Sequence, residues 1–362
     1  MSPTIHLVYP HGPGVATPGV IGRRLGEHLS RRYHVVLHNW DDLRAIEPSP
    51  GDVLLGHPHP LPGTVFRRSF RRRGWSRRLV LSPFNGDARQ VAFLDPFVRA
   101  ADAYLAITGS YWFRGVAETP FAHWSPRMVH LDLAVDPADF PLVKARFSPV
   151  GRRRILYIGH TLLSKNVAYL SAIARARPEW EFGWIGRGEP SNIPGVNHLG
   201  FRDTSSADTR ELVASYDFLL TVGRADANPT TVLEAMGWGL LPFCTPQSGY
   251  VGEPGIVNVP LDDVPAVVGV LEQWQEASEA DLRQAQRTNL DRLAEHFSWE
   301  RFGRQVEEAL TADLPPTQPI GSARRIALAA TAATSPYGAL GPQGRRLAVA
   351  ALRQRLAAGR RR

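Results

Sequence analysis

Residues 224–239 read RADANPTTVLEAMGWG, and two carboxylates, Asp226 and Glu234, stand eight positions apart across an Asn-Pro-Thr-Thr step. Asn228 is a good helix N-cap, because its side-chain oxygen can accept from an unpaired N–H of the first turn. Pro229 suits the first helical position, where its missing N–H costs nothing. The spacing predicts a helix over 230–236, with Asp226 in the loop before it and Glu234 between one and two turns inside. The first-turn amides of Thr230 and Thr231 would then face outward at the positive end of the helix dipole, a setting that favours a phosphate. Acids on both sides of an anion cradle suit a ligand with hydroxyls at its two ends and phosphates between. Lys165 is a further candidate cation. The chain has two lysines, Lys144 and Lys165, against forty arginines, and a compact ammonium can be retained where a planar guanidinium does not serve. No Asp-x-Asp pair occurs in the chain.

Such residues need loops at strand ends to hold them. The chain alternates apolar strands with helices. The first set of strands is IHLVYP, YHVVLHNW, DVLLGHP, RRLVLSPF and DAYLAIT. A proline-rich break follows at 130–151, and the pattern restarts with RRILYIGH, EFGWIGRG, a short NHLGF, DFLLTVG and LLPFCT. This is the pattern of parallel sheets built from βαβ units. The expected fold class is α/β, with two Rossmann-like doubly wound domains facing a cleft, 1–143 and 144–296. A closing amphipathic helix over 297–312 carries Phe302, Val306 and Leu310 on one stripe. A basic tail, 313–362, follows as a disordered segment or an interfacial helix. In open α/β sheets ligands sit beyond the carboxyl ends of the strands, and nearly every polar feature singled out here falls at such an end.

Composition narrows the classes. With 43% hydrophobic and 21% charged residues, the chain is an ordinary globular protein. It has no apolar run near the roughly 20 residues that span a bilayer, and MSPTIHLVYPHGPG lacks the marks of a signal peptide. The lone cysteine, Cys244, falls in an apolar strand and rules out an internal disulfide framework. The cytoplasm is the expected compartment, with a peripheral place at the inner face of the membrane open. The net charge of +8 belongs to the tail: residues 313–362 hold nine arginines and one acid, Asp313, so 1–312 is formally neutral.

The two-domain pattern, the DPADF linker, the YIGH…SKN stretch and the acid-x7-Glu-Ala-Met segment resemble the retaining glycosyltransferases of family 4, which have the GT-B fold. The resemblance covers about residues 1–312 and is strongest over 152–250. It implies that Glu234 binds the nucleotide ribose, that Asp226 contacts the donor sugar near the reacting carbon, and that Lys165 meets the diphosphate. It also implies that Gly200 and Phe201 border the base and that Gly12 and Gly14 approach the donor phosphates. Asn228, Thr230, Thr231 and His160 complete the donor set, and His57 and His59 fall in the acceptor region, with Asp87 of NGDAR a further candidate there. The chain departs from the family at three places. The first acid is aspartate, an arginine is replaced by His160, and the usual Asn-Gly before the linker is Leu133-Ala134. Arg187, Arg202 or Arg224 could supply the missing charge.

The expected activity is transfer of a sugar, with retention, from a nucleotide-diphosphate-sugar donor to a hydroxyl of a glycan, lipid-linked or small-molecule acceptor. No cofactor beyond that co-substrate and no metal is expected. The arginine-rich stretch 66–78, with seven arginines and no acid, has three readings, a solvated face, a complement to an anionic membrane surface or a nucleic-acid contact, and the tail reads as an interfacial helix or a disordered basic segment. No zinc motif, stacking signature or helix-turn-helix favours nucleic acid, so no nucleic-acid partner is expected. The rival readings are a sugar-nucleotide epimerase, a non-catalytic relative that binds nucleotide sugar or glycan, and a nucleic-acid-binding protein that acts through its tail.

Overall fold

A computed structural model describes residues 4–12, 17–141, 144–204, 206–336 and 341. The chain forms two parallel six-stranded sheets. The first is built from β1 (Thr4–Val8), β2 (His34–His38), β3 (Val53–Gly56), β4 (Arg77–Pro83), β5 (Ala103–Ile107) and β6 (Met128–Leu131). Their order in the sheet is β2-β1-β3-β4-β5-β6. The second sheet uses β7 (Ile155–Ile158), β8 (Phe182–Ile185), β9 (Asn197–His198), β10 (Phe218–Thr221), β11 (Leu241–Cys244) and β12 (Val257–Asn258). Its order is β12-β11-β10-β7-β8-β9. Central strands read as continuous apolar runs because helices cover both faces of a parallel sheet. β5 and β10 are buried at every position.

Two strands lie outside the sequence expectation. β6 falls where a proline-rich break was read, and it exists because Tyr104–Ile107 of β5 offers it a parallel ladder. β12 is two residues long and is set by pairing with Phe243 and Cys244 of β11.

The chain's internal contacts divide it into two compact units, one within 1–107, 113–131 and 303–362, the other within 108–112 and 132–302. The changeover thus comes at 131/132 rather than at 143/144. The reason is that the segment after β6 is tied to the second unit: Leu133 N donates to Asn228 Oδ1 at 2.9 Å and Val135 N to the Phe297 carbonyl at 3.1 Å. The expected closing helix is Trp299–Thr311, with Phe302, Val306 and Leu310 buried as its stripe required.

Part of the basic tail is ordered helix. Ser322–Thr334 packs on the segment 88–94 of the first unit, with Leu328 buried beneath it. Gln318 N donates to the His123 carbonyl at 3.0 Å and Arg324 to the Pro120 carbonyl at 2.8 Å. Residues 337–340 and 342–362 of the tail lie outside the described residues. No described helix is long and apolar enough to cross a membrane.

The second unit has a buried charge at its base. Lys144 Nζ lies 2.9 Å from Asp217 Oδ1, and the two side chains are 1% and 0% exposed. Asp217 also accepts from Ser148 N at 2.8 Å and Arg154 N at 2.7 Å, while Lys144 donates to the Ala214 carbonyl at 3.1 Å. Burial pulls the Lys144 pKa down and the adjacent carboxylate opposes it. One of the two lysines is therefore structural. Removing one member of a buried pair leaves the other uncompensated. Asp217→Ala is expected to lower unfolding free energy by about 3–5 kcal/mol, read as a fall in urea midpoint.

Candidate functional site

Both sheets reverse their strand order once, and that reversal is where loops open away from each other. In the second sheet β7 leads to β8 on one side, and β10 leads to β11 on the other. The loops after β7 and β10 therefore sit side by side. The first carries His160 and Lys165, the second Asp226 and Asn228.

Lys165 Nζ and the Asp226 carboxylate form an ion pair across 61 residues of sequence. The two side chains are 16% and 19% exposed, so the pair is sheltered but open to a ligand. The loops are held by backbone bonds. Arg224 N donates to the Ser164 carbonyl at 2.8 Å, and Asp226 N donates to the Gln247 carbonyl at 3.0 Å. Trp112 Nε1 donates to the Asp226 carbonyl at 2.8 Å. Sequence reasoning missed Trp112 and Gln247, since each reaches the site from a distant stretch and no local pattern marks it; Ser164 stands in the SKN stretch beside Lys165 and serves through its backbone carbonyl.

The helix after Asp226 is Thr230–Trp238. Pro229 stands at its N-cap in an extended conformation rather than at the first helical position, and no side chain caps the helix. Asn228 does not cap it either. Its Oδ1 accepts from Leu133 N at 2.9 Å and from the Tyr250 hydroxyl at 3.3 Å, so its oxygen is committed to the linker and not to the first turn. Gly239, at φ 85°, ends the helix in the left-handed region. A Cβ on Gly237 would stand 2.9 Å from the Phe140 carbonyl. Trp238 and Trp184 are wholly buried core residues.

Glu234 hydrogen-bonds Thr230 one turn earlier. Its residue surface keeps an exposed edge, but burial of the carboxyl pushes the pKa up to about 7. Burial lowers the His160 pKa, Lys165 lowers it further and Asp226 opposes them. Leu162 N donates to His160 Nδ1 at 3.4 Å. The imidazole is neutral at neutral pH, so it does not replace the charge of an arginine. Of the three arginines that could, Arg224 is paired with Asp262 at 2.8 Å, Arg187 lies 4.3 Å over the Phe201 ring, and Arg202 donates to the Leu199 carbonyl at 2.8 Å. Phe201 is 65% exposed beyond β9, beside Gly200 at φ 80°, whose carbonyl accepts from Gly186 N at 3.1 Å.

In the first unit the reversal falls between β1 and β3. His57 and His59 follow β3 and line a cavity of about 350 Å³ with Trp40, Phe93, Asn85 and Gln90. His57 Nδ1 lies 3.0 Å from Ser82 Oγ, and His59 Nδ1 accepts from Leu61 N at 3.2 Å. Burial first, then His59 and Arg67, push His57 down to about 3. Burial, aided by Arg67 against Asp41, pushes His59 down to about 4. Asp87 spends its oxygens within its own loop, on Arg89 N at 2.9 Å and Gln90 Nε2 at 3.1 Å. Gly12 has open space where a Cβ would stand, so nothing in the described residues demands glycine there. Gly14 lies outside the described residues.

The two-sheet architecture is the GT-B fold. No protein-family model and no curated protein matches the sequence. Solved structures match the fold at low identity. Sucrose-phosphate synthase from Thermosynechococcus elongatus aligns at TM-score 0.64 and 15% identity, over 85% of this chain and 98% of that one. HepE from Anabaena, solved with UDP and glucose, aligns at 0.58 and 12%, over 86% and 100%. WaaG, a glycosyltransferase involved in lipopolysaccharide biosynthesis, aligns at 0.54 and 12%, over 85% and 100%.

A carboxyl raised to about 7 binds its proton more tightly in the folded chain than in the unfolded one. Its cost to stability therefore grows as pH rises from the unfolded value towards 7 and is fully present above it. Glu234→Gln is expected to stabilise the free protein at pH 8 by about 1–3 kcal/mol and to have no such effect near pH 4, measured by chemical denaturation at both values.

Proposed function

We propose that the chain is a retaining glycosyltransferase that moves a sugar from a nucleotide-diphosphate sugar to a hydroxyl of a glycan, lipid-linked or small-molecule acceptor. The observation that carries this reading is the pairing of Lys165 with Asp226 at the chain reversal of the second sheet, beside the start of the helix that bears Glu234. Asp226 for the sugar, Lys165 and the helix amides for the diphosphate and Glu234 for the ribose would match the order of parts in a nucleotide-diphosphate sugar. The GT-B fold shared with known glycosyltransferases supports it.

On this reading Glu234 accepts from the ribose hydroxyls, and Phe201 with Gly200 borders the base. Lys165 and the amides of Thr230 and Thr231 hold the diphosphate. Asp226 turns from Lys165 towards a hydroxyl of the donor sugar. In the reaction the bond from the anomeric carbon to the diphosphate oxygen breaks, and its electron pair stays on that oxygen. The acceptor oxygen bonds the same carbon on the same face. Charge that grows on the diphosphate meets Lys165 and the helix amides, already in place, which is where preorganised groups lower a barrier most. The acceptor would enter the cavity beside His57 and His59. These imidazoles, with values of about 3 and 4, are neutral hydrogen-bonding groups and poor proton acceptors at neutral pH. The acceptor proton then passes to the diphosphate oxygen, the stronger base. The charge at this site comes from the chain's own residues, and no metal is assigned a step.

The test is thermal stabilisation by a panel of UDP-, GDP-, ADP-, CMP- and dTDP-sugars. One nucleotide class at about 100 times its dissociation constant is expected to stabilise the wild type by about 2.7 kcal/mol. Glu234→Ala should lose that shift. A folded protein that responds to no nucleotide would sink the proposal. Donor affinity measured by calorimetry should fall as pH drops below about 7, approaching tenfold per unit, because protonated Glu234 loses an acceptor for the ribose. Glu234→Gln should flatten that profile.

A further inference from the structure

The first unit holds a second cavity, of about 530 Å³, lined by Arg67, Arg68, Arg71 and Arg72 together with Phe97 and Gly63. The arginines come from the short helix Val65–Ser69 and the turn after it. Two of them are fixed in place. Arg67 donates through Nε to the His59 carbonyl at 2.7 Å and lies 5.0 Å over the Phe97 ring. Arg68 donates through Nε to the Gly63 carbonyl at 2.6 Å. Among the described residues one carboxylate pairs with the cluster, Glu47, which meets Arg72 at 2.9 Å. Arg67, Arg68 and Arg71 form no ion pair with a carboxylate there. Burial and the neighbouring Arg71 push Arg67 down to about 10, the mark of a cation with no counter-charge.

A solvated face spreads its cations and pairs them. Here unpaired guanidinium groups converge on one hollow, and guanidinium is the group best matched to phosphate oxygens. We propose that this cavity is a binding site for a compact diphosphate-class anion, either the headgroup of a lipid or a soluble diphosphate ester. A hollow of this size fits one small polyanion, whereas a nucleic acid needs an extended track. The site belongs to the first unit and the Lys165 loop to the second, and binding here does not depend on sugar transfer.

The experiment uses inorganic pyrophosphate as probe, titrated calorimetrically at low ionic strength into the full chain carrying Lys165→Ala, which disables the proposed donor site. One binding site is expected. Arg68→Ala with Arg71→Ala, both exposed positions that should leave the melting temperature unchanged, should weaken it by roughly tenfold for each arginine removed. Glu47→Gln should tighten it, since the one opposing carboxylate is gone. Sedimentation with phosphatidylcholine vesicles carrying a prenyl diphosphate lipid, against phosphatidylcholine vesicles as control, separates the sources. Anionic-vesicle binding that pyrophosphate competes away and the double variant loses assigns a lipid headgroup; pyrophosphate binding without vesicle binding assigns a soluble ester. Absence of pyrophosphate binding, binding unchanged in the double variant, or binding of duplex DNA alone would overturn the site.

Discussion

A parallel sheet that reverses its winding direction leaves two adjacent strand ends whose loops must diverge, and this topological constraint underlies both candidate sites. In the second unit it brings the loop after β7 against the loop after β10, so that an ammonium and a carboxylate 61 residues apart become partners. In the first unit the same reversal exposes the end of β3, and His57 and His59 follow it into a cavity. The helices and aromatic cores keep these ends still, and the loops carry the chemistry.

Holding that arrangement costs stability, and the cost is concentrated where a ligand would recover it. Glu234 is a carboxyl kept from water with one hydroxyl for company, a poor bargain for a free protein and a good one for a protein that meets a polyhydroxyl ligand. The Lys165–Asp226 pair is half sheltered, so it can exchange partners at modest cost. The Lys144–Asp217 pair has the opposite character: buried and tied to backbone groups of Ala214, Ser148 and Arg154, it serves the fold. The chain's two lysines thus divide between a structural and a candidate functional position, which a count of lysines alone could not decide.

The alternation of strands and helices, the spacing of Asp226 and Glu234 and a helix that starts at Thr230 and carries Glu234 were all legible along the chain, because they arise from periodicity and local backbone chemistry. The first-turn details were not. Asn228 and Pro229 have the right types for a cap and a first residue, yet Asn228 bonds Leu133 and Tyr250 instead, because a buried backbone N–H on the linker needed an acceptor more than the open helix end did. β6 was not read because its four residues run into the proline-rich stretch, and β12 because its two residues are set by pairing with β11.

By itself the sequence determined which segments are strands and helices and which residue types fall at strand ends, since these depend on neighbours a few positions away. Only the tertiary structure decided that Lys165 meets Asp226, that Trp112 and Gln247 hold the loop, that His160 is neutral, and that four of the arginines of 66–78 line a cavity. Contacts of that kind depend on strand order and burial, and both are properties of the assembled sheets and not of any local stretch.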